Sequence, residues 1–244
     1  MNYIKIIVSV SLLSLIVSGS ALAFRGQGKG QQANSAQNGN VCSAASLPYE
    51  DISDIESSDM LYMIEEEKLA RDVYLAMYEF WNQQVFDKIA QSEQKHMAAI
   101  SSLLAKYEID YSLDDTAGIF TNPELQTLYH DLVQSGSSSL AEALRAGAAI
   151  EDLDIFDLKS RLEQTDNTDI KTVYENLMKG SENHLRAFVY QLSLLGETYS
   201  AQYLSSEEIQ AIIDSENERG QYNENKGTGS QNLGKGRKGT CVNL

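Results

Sequence analysis

The chain has 244 residues, with 35 acidic against 19 basic side chains and a formal net charge of −16. So acidic a molecule excludes nucleic acid and anionic lipid as natural partners, and it would draw metal cations or basic molecules instead. Once the polar ends are set aside, the length is that of about one domain.

The first residues read as a secretory signal: Lys5 supplies positive charge, an apolar run extends from Ile6 to Val17, and small residues end in Ala21-Leu22-Ala23. The run is too short to span a bilayer comfortably. Residues 1–23 are therefore expected to be removed, with cleavage after Ala23 and a secreted or periplasmic mature chain; an uncleaved anchor is the alternative. No other stretch is apolar enough for a stable membrane span. Residues 24–54 are expected to form a flexible flank and residues 220–244 a low-complexity tail, since both are rich in Gly, Gln, Asn and Lys with little to bury. Cys42 and Cys241 sit one in each flank. A disulfide between them and a pair of unpaired thiols both stay open.

The first helix is expected from Ser58 to Trp81, on Leu61, Ile64, Leu69, Val73 and Met77, with Ser57 or Ser58 as its cap. A short polar link at Asn82–Gln84 leads to a second, from Val85 to about Tyr107, so the two should lie antiparallel. Asn122-Pro123 reads as the start of a short helix ending near Val133. A third long helix should run from Ser139 to Leu162 and a fourth from Asp169 to Leu195. A peripheral segment, Ser205 to Ser215, would lie within residues 201–219. With two prolines and no alternating strand pattern of any length, the chain reads as all-α, and residues 55–200 as a bundle of four long helices with a short extra helix between the second and third.

Charged residues on the apolar faces carry the chemistry. Glu93 and His96 stand three apart, about 60° from each other around a helix, in register with Ile89, Ile100 and Leu103. A carboxylate and an imidazole on such a face are costly to bury unless paired or metal-bound. Glu67 shares its face with Tyr74 and Tyr78, whereas Glu65 and Glu66 read as a solvated acidic turn. The third helix offers Glu151 and Asp154, and the fourth offers His184 on the face of Leu177 and Phe188. Each half thus places a Glu on one arm and a His on the other, which would bring four to six ligands to one midpoint. Carboxylate oxygens with imidazole nitrogens suit iron or manganese. His130, with no acidic partner three away, reads as structural or exposed.

Glu67-Lys68-Leu69-Ala70-Arg71, Tyr74 and Glu93-x-x-His96 resemble the metal-binding helices of rubrerythrin-like members of the ferritin-like superfamily. Phe120-Thr121-Asn122-Pro123-Glu124-Leu125 and Gly180-Ser181-x-Asn183-His184-Leu185-Arg186-Ala187-Phe188 resemble a prokaryotic ferritin-like domain family of unknown function. The resemblance covers about Asp59 to Gly196. It implies a ferritin-like antiparallel four-helix bundle, with Glu67, Glu93, His96, Glu151 and His184 as ligands of a di-iron or mononuclear centre, or of manganese, and Tyr74 hydrogen-bonding beside it. One position departs: a fourth-helix Glu-x-x-His would need glutamate where Ser181 stands. That loss puts the second metal in question, and Asp154 is the residue able to substitute.

The leading expectation is an oxidoreductase with oxidase, ferroxidase or peroxide-reducing activity. No rubredoxin-like cysteine motif accompanies the helices, so any electron donor would be a separate partner, and a homodimer is left open. The alternatives are a protein that sequesters metal without turnover, and a metal-free interaction module in which buried Glu–His and Glu–Arg pairs satisfy one another, with Arg71 and Arg186 close to Glu67 and His184.

Overall fold

In the computed structural model, residues 49–215 are described, and they fold into six α-helices with no strand among them. These are α1 (Asp54–Trp81), α2 (Gln84–Lys106), α3 (Pro123–Gly136), α4 (Leu140–Gln164), α5 (Thr168–Leu194) and α6 (Ser206–Asp214). The signal segment, Cys42, Cys241 and the C-terminal tail lie outside the described residues. No helix among those described is long and apolar enough to cross a membrane.

The all-α expectation and the order of its elements hold, and the largest boundary difference is at the start of α1. Ser53, not Ser57 or Ser58, is the cap. Its hydroxyl accepts from the Glu56 backbone N–H while the Glu56 carboxylate accepts from the Ser53 backbone N–H, a reciprocal pair that closes two open donors. Ile55 in this first turn is exposed, so the early turn carries little apolar signal. The expected flexible flank also ends sooner than residue 54: the Tyr49 ring packs 5.2 Å from that of Tyr107, and Ile52 packs on the core. Further on, Asn122 caps α3, Ser139 caps α4 and Ser205 caps α6.

α1 packs along α2, and α4 packs along α5. The two hairpins meet through α1 against α4 and α2 against α5, while α3 lies against α1 and α4. One half of the interior is apolar, built from Met60, Met63, Met97, Ile100, Tyr174 and Leu177 among others. In the other half, Tyr74, Phe86 and Phe188 stack in tilted contacts with centroids 5.2–5.7 Å apart. The polar residues lie at the level between.

Glu65 and Glu66, expected in solvent, are buried, as are Glu67 and Lys68. Successive residues of a helix point about 100° apart, so this run faces different neighbours in turn. Glu65 accepts from the backbone N–H groups of Thr121 and Asn122 at the start of α3, where a helix favours negative charge. Lys68 donates to Asp72 at 2.7 Å and to the carbonyls of Thr116 and Ile119, and Asp72 accepts from the Gly118 backbone. The long connection between α2 and α3 is thereby tied to α1. Asp152 does the same for the chain after α5, accepting from the Tyr199 hydroxyl and from the backbone N–H groups of Gln202, Tyr203 and Leu204.

The cap of α1 generates a pH dependence. Burial pushes the Glu56 carboxyl up, but donors from Thr165, Ser53 and Asn167 outweigh it and hold the group at about 2. A carboxyl lowered by folding contributes stability that is present above its unfolded value near 4.5 and lost as pH falls towards 2. Metal-free protein should therefore lose roughly 3 kcal/mol from this group over that window. Glu56→Gln should be less stable at pH 7 and flatter with acid, as read by urea melts at pH 7, 4 and 3. An unchanged acid slope in the variant would remove Glu56 as the source.

Candidate metal centre

At the middle level α1 contributes Glu67; α2, Glu93 and His96; α4, Glu151 and Asp154; α5, Ser181 and His184. The carboxylates and Ser181 are buried, and the side chains of His96 and His184 are each 11% exposed. Glu93 is the hinge of the arrangement. Its Oε2 lies 2.8 Å from His96 Nδ1, and its Oε1 lies 2.8 Å from His184 Nδ1. His96 Nδ1 is also 3.2 Å from Glu67 Oε2, and His184 Nδ1 is 3.5 Å from Glu151 Oε2. The two imidazole rings stack with centroids 5.5 Å apart. Glu67, Glu93 and His96 form one triad and Glu93, Glu151 and His184 another; within each, one donor atom from every residue lies within 4.8 Å of the others.

Five of the expected ligands are thus brought together, with Tyr74 and Asp154 beside them. The Tyr74 hydroxyl donates to Glu151 at 2.5 Å, from a ring packed against Phe188. Ser181, three residues before His184 where Glu93 stands before His96, donates its hydroxyl to Asp154 Oδ2 at 2.5 Å. The position that lacks a carboxylate on α5 therefore orients one on α4. His130 is exposed and meets Gln126, away from the cluster. Arg71 engages Asp72 and Gln94, and Arg186 reaches the Ile212 carbonyl and the Ser215 hydroxyl. Asp72 is a buried acid paired with Arg71, although it belongs to neither triad.

The model for an uncharacterized protein domain, DUF2202, matches residues 56–216. The chain belongs to the DUF2202 family. It is 53% identical over 177 residues to uncharacterized protein MJ0754 of Methanocaldococcus jannaschii, an alignment covering 72% of this chain and 96% of that one. The crystal structure of hypothetical protein MJ0754 from Methanococcus jannaschii matches with a TM-score of 0.70, covering 71% of this chain and 99% of that chain. The matched region of this DUF2202 chain contains every residue of the two triads.

Whether the donor set fits a cation can be judged from its unpaired atoms. Glu67 Oε1, Glu93 Oε1, Asp154 Oδ1 and His184 Nδ1 are buried with no hydrogen-bond partner. Two of these atoms, Glu93 Oε1 and His184 Nδ1, lie 2.8 Å apart as an ion pair. Buried polar atoms are nearly always paired, so the free Glu67 Oε1 and Asp154 Oδ1 beside this pair leave acceptor capacity for something further. The donors fit a cation.

Charge agrees with geometry. Burial pushes Glu93 up, but the imidazoles of His184 and His96 outweigh it and hold the carboxylate well below its ordinary range. Burial pulls His184 down, yet Glu93 and Glu151 raise it to about 10; for His96, Glu67 and Glu93 likewise prevail over burial. Burial and Asp154 raise Glu67, burial and Glu93 raise Glu151, and burial lifts Asp154 to about 7 against the Ser181 hydrogen bond. The cluster holds more carboxylates than its own cations balance, and protons take up the difference. Cation binding here would displace protons.

Gly180 stands in the middle of α5, and a lone glycine in mid-helix is a sequence signal of close packing. A Cβ there would stand 2.6 Å from His96 Nε2. The bare α5 backbone is what gives the imidazole its place. Gly→Ala in an open helix stabilises by roughly 1 kcal/mol; here overpacking should reverse the sign, with Gly180→Ala losing about 1–3 kcal/mol. Thermal melts of the metal-free protein read this directly, and a raised midpoint would show that His96 does not need the space.

Proposed function

We propose that this protein is a ferritin-like metalloprotein of the rubrerythrin type, whose four long helices hold two iron or manganese ions and support oxidoreductase chemistry. The observation that carries this reading is the pair of Glu–His triads sharing Glu93. Glu67 and His96 would hold one ion and Glu151 and His184 the other, with one Glu93 oxygen towards each. Asp154, oriented by Ser181, is the further carboxylate on hand. Mixed oxygen and nitrogen donors of this kind suit iron and manganese.

Bound at such a site, a redox-active ion supplies electron transfer to dioxygen or peroxide, as an oxidase, ferroxidase or peroxide reductase would require. The chain's own residues have definable work around that chemistry. Tyr74 donates to Glu151 and fixes which carboxylate oxygen remains available. Met60, Met63 and Met97 on one side, and Phe86 and Phe188 on the other, exclude bulk water. The imidazoles, protonated while paired with Glu93, must give up those protons for their Nδ1 atoms to act as donors. The electron donor would be a separate partner. Sequestration without turnover uses the same ligands and differs only in the absence of metal oxidation.

Protein purified from its exported, processed form without chelator should carry two tightly held iron or manganese ions per chain by elemental analysis. A Glu93→Ala, His96→Ala double variant should lose both, because Glu93 serves each triad. Oxygen consumption on adding Fe(II) separates turnover from storage. Absence of metal from folded, iron-replete and manganese-replete protein would overturn the reading.

A further inference from the structure

The carboxylates of the centre are sealed from solvent, but its imidazoles are not. The side chains of Glu67, Glu93 and Glu151 are each 2% exposed, against 11% for His96 and His184. Both rings turn Nδ1 inward to those carboxylates, so the edge that carries Nε2 is the outer one. Neither Nε2 is hydrogen-bonded among the described residues, and that of His96 lies against the bare backbone of Gly180. With the rings stacked at 5.5 Å, the two edges form one patch at the seam between α2 and α5.

Charge around this patch runs against the rest of the chain, whose formal net charge is −16. On α2, Lys88, Ser92 and Lys95 stand at i, i+4 and i+7 and share one stripe. Lys106, further along the same stripe, donates to Asp169 of α5, so the stripe borders that helix. On α5, Asn176, Lys179 and Asn183 form the facing stripe, beside the Gly180 that meets His96. Neither stripe holds a carboxylate: Asp87 accepts from Gln91, Glu182 turns to Arg186, and Glu175 stands at the outer border. Lys88 and Lys95 are exposed and Lys179 is half-buried, and none of the three is in an ion pair among the described residues.

We propose that this lysine strip is where a small acidic protein with a one-electron cofactor docks, delivering electrons through the outer edges of His96 and His184. The inference rests on the redox reading of the centre and adds the surface and the chemistry of its partner. Positive potential beside the two rings steers an acidic surface to them and rejects a basic one. Encounters between electron carriers use small, charged interfaces, and three lysines around two ring edges match that scale. The step is one electron from the carrier's reduced cofactor to an oxidised ion held at the centre. The carrier is oxidised, the ion is reduced, and no bond is made or broken.

A small acidic iron–sulfur ferredoxin is the probe. Added at low salt to isotope-labelled protein, it should shift the backbone amides of Lys88, Lys95, Lys179 and Gly180, and added salt should reverse the effect. A Lys88→Glu, Lys95→Glu double variant should bind it roughly tenfold more weakly, while Lys159→Glu on α4 binds as wild type. In iron-loaded protein, oxidation of the reduced ferredoxin, followed by its visible absorbance, should slow to the same degree in the double variant with iron content unchanged. Should the double variant fold poorly, Lys179→Glu and the wild-type amide shifts decide the same question. Shifts confined to other faces, or a folded double variant with wild-type affinity and rate, would overturn the proposal. Docking is read without metal, so the two readings fail separately. Protein that docks ferredoxin on the strip yet holds no metal keeps the surface and loses the centre; protein that holds metal and docks ferredoxin elsewhere keeps the centre and loses the surface.

Discussion

Burying charge without leaving it unpaired is the constraint on which the middle of this molecule depends. Glu65, Glu66, Glu67 and Lys68 form one turn of α1 and all lie away from solvent. Each therefore needs a partner from a different element, and the surrounding helices are placed where they supply it. Glu65 is met by the first residues of α3, Lys68 by the connection before α3, and Glu67 by α2. Apolar packing alone would leave the relative rotation of these helices loosely defined. Charge pairing, with its short distances, makes the register specific, although such pairs are weak sources of net stability.

The centre follows from the same logic carried one step further. Glu93 is placed where both of its oxygens meet an imidazole, so a side chain of α2 addresses both hairpins at once. Around it the chain is not symmetric. The first hairpin carries Glu-x-x-His; the second carries Ser-x-x-His, with Asp154 supplying the carboxylate from the neighbouring helix. Tyr74 attends only the Glu151 side. Two similar triads therefore sit in different surroundings, and equal chemistry at the two is not to be expected.

Much of this arrangement is legible in the sequence, for a definite reason. Helices with one apolar face announce themselves by spacing, and Glu93, His96 and His184 stand on such faces. What the spacing does not carry is the fate of charged residues whose partners are remote in the chain. Glu66 answers to α4, Lys68 to carbonyls 48 and 51 residues away, and Asp152 to a loop beginning at Tyr199. A run of glutamates looks solvated unless those partners are known. Ser53 is missed for a related reason, since the turn it opens exposes Ile55 and lies outside the apolar stripe. Ser181 reads as a lost ligand until its hydroxyl is seen on Asp154.

The tie between α1 and the connection from α2 to α3 has a consequence for how the molecule comes apart. A long link between two hairpins ordinarily lets each open alone, because its slack absorbs the separation. Here Glu65, Lys68 and Asp72 hold that link at Thr116, Gly118, Ile119 and the first residues of α3. Little slack remains between the anchored stretch and the second hairpin. Parting the hairpins means stripping a buried lysine and two carboxylates of their partners in the same event. The fold is in this sense latched: its halves unfold together, and the polar level between them is not exposed by partial opening.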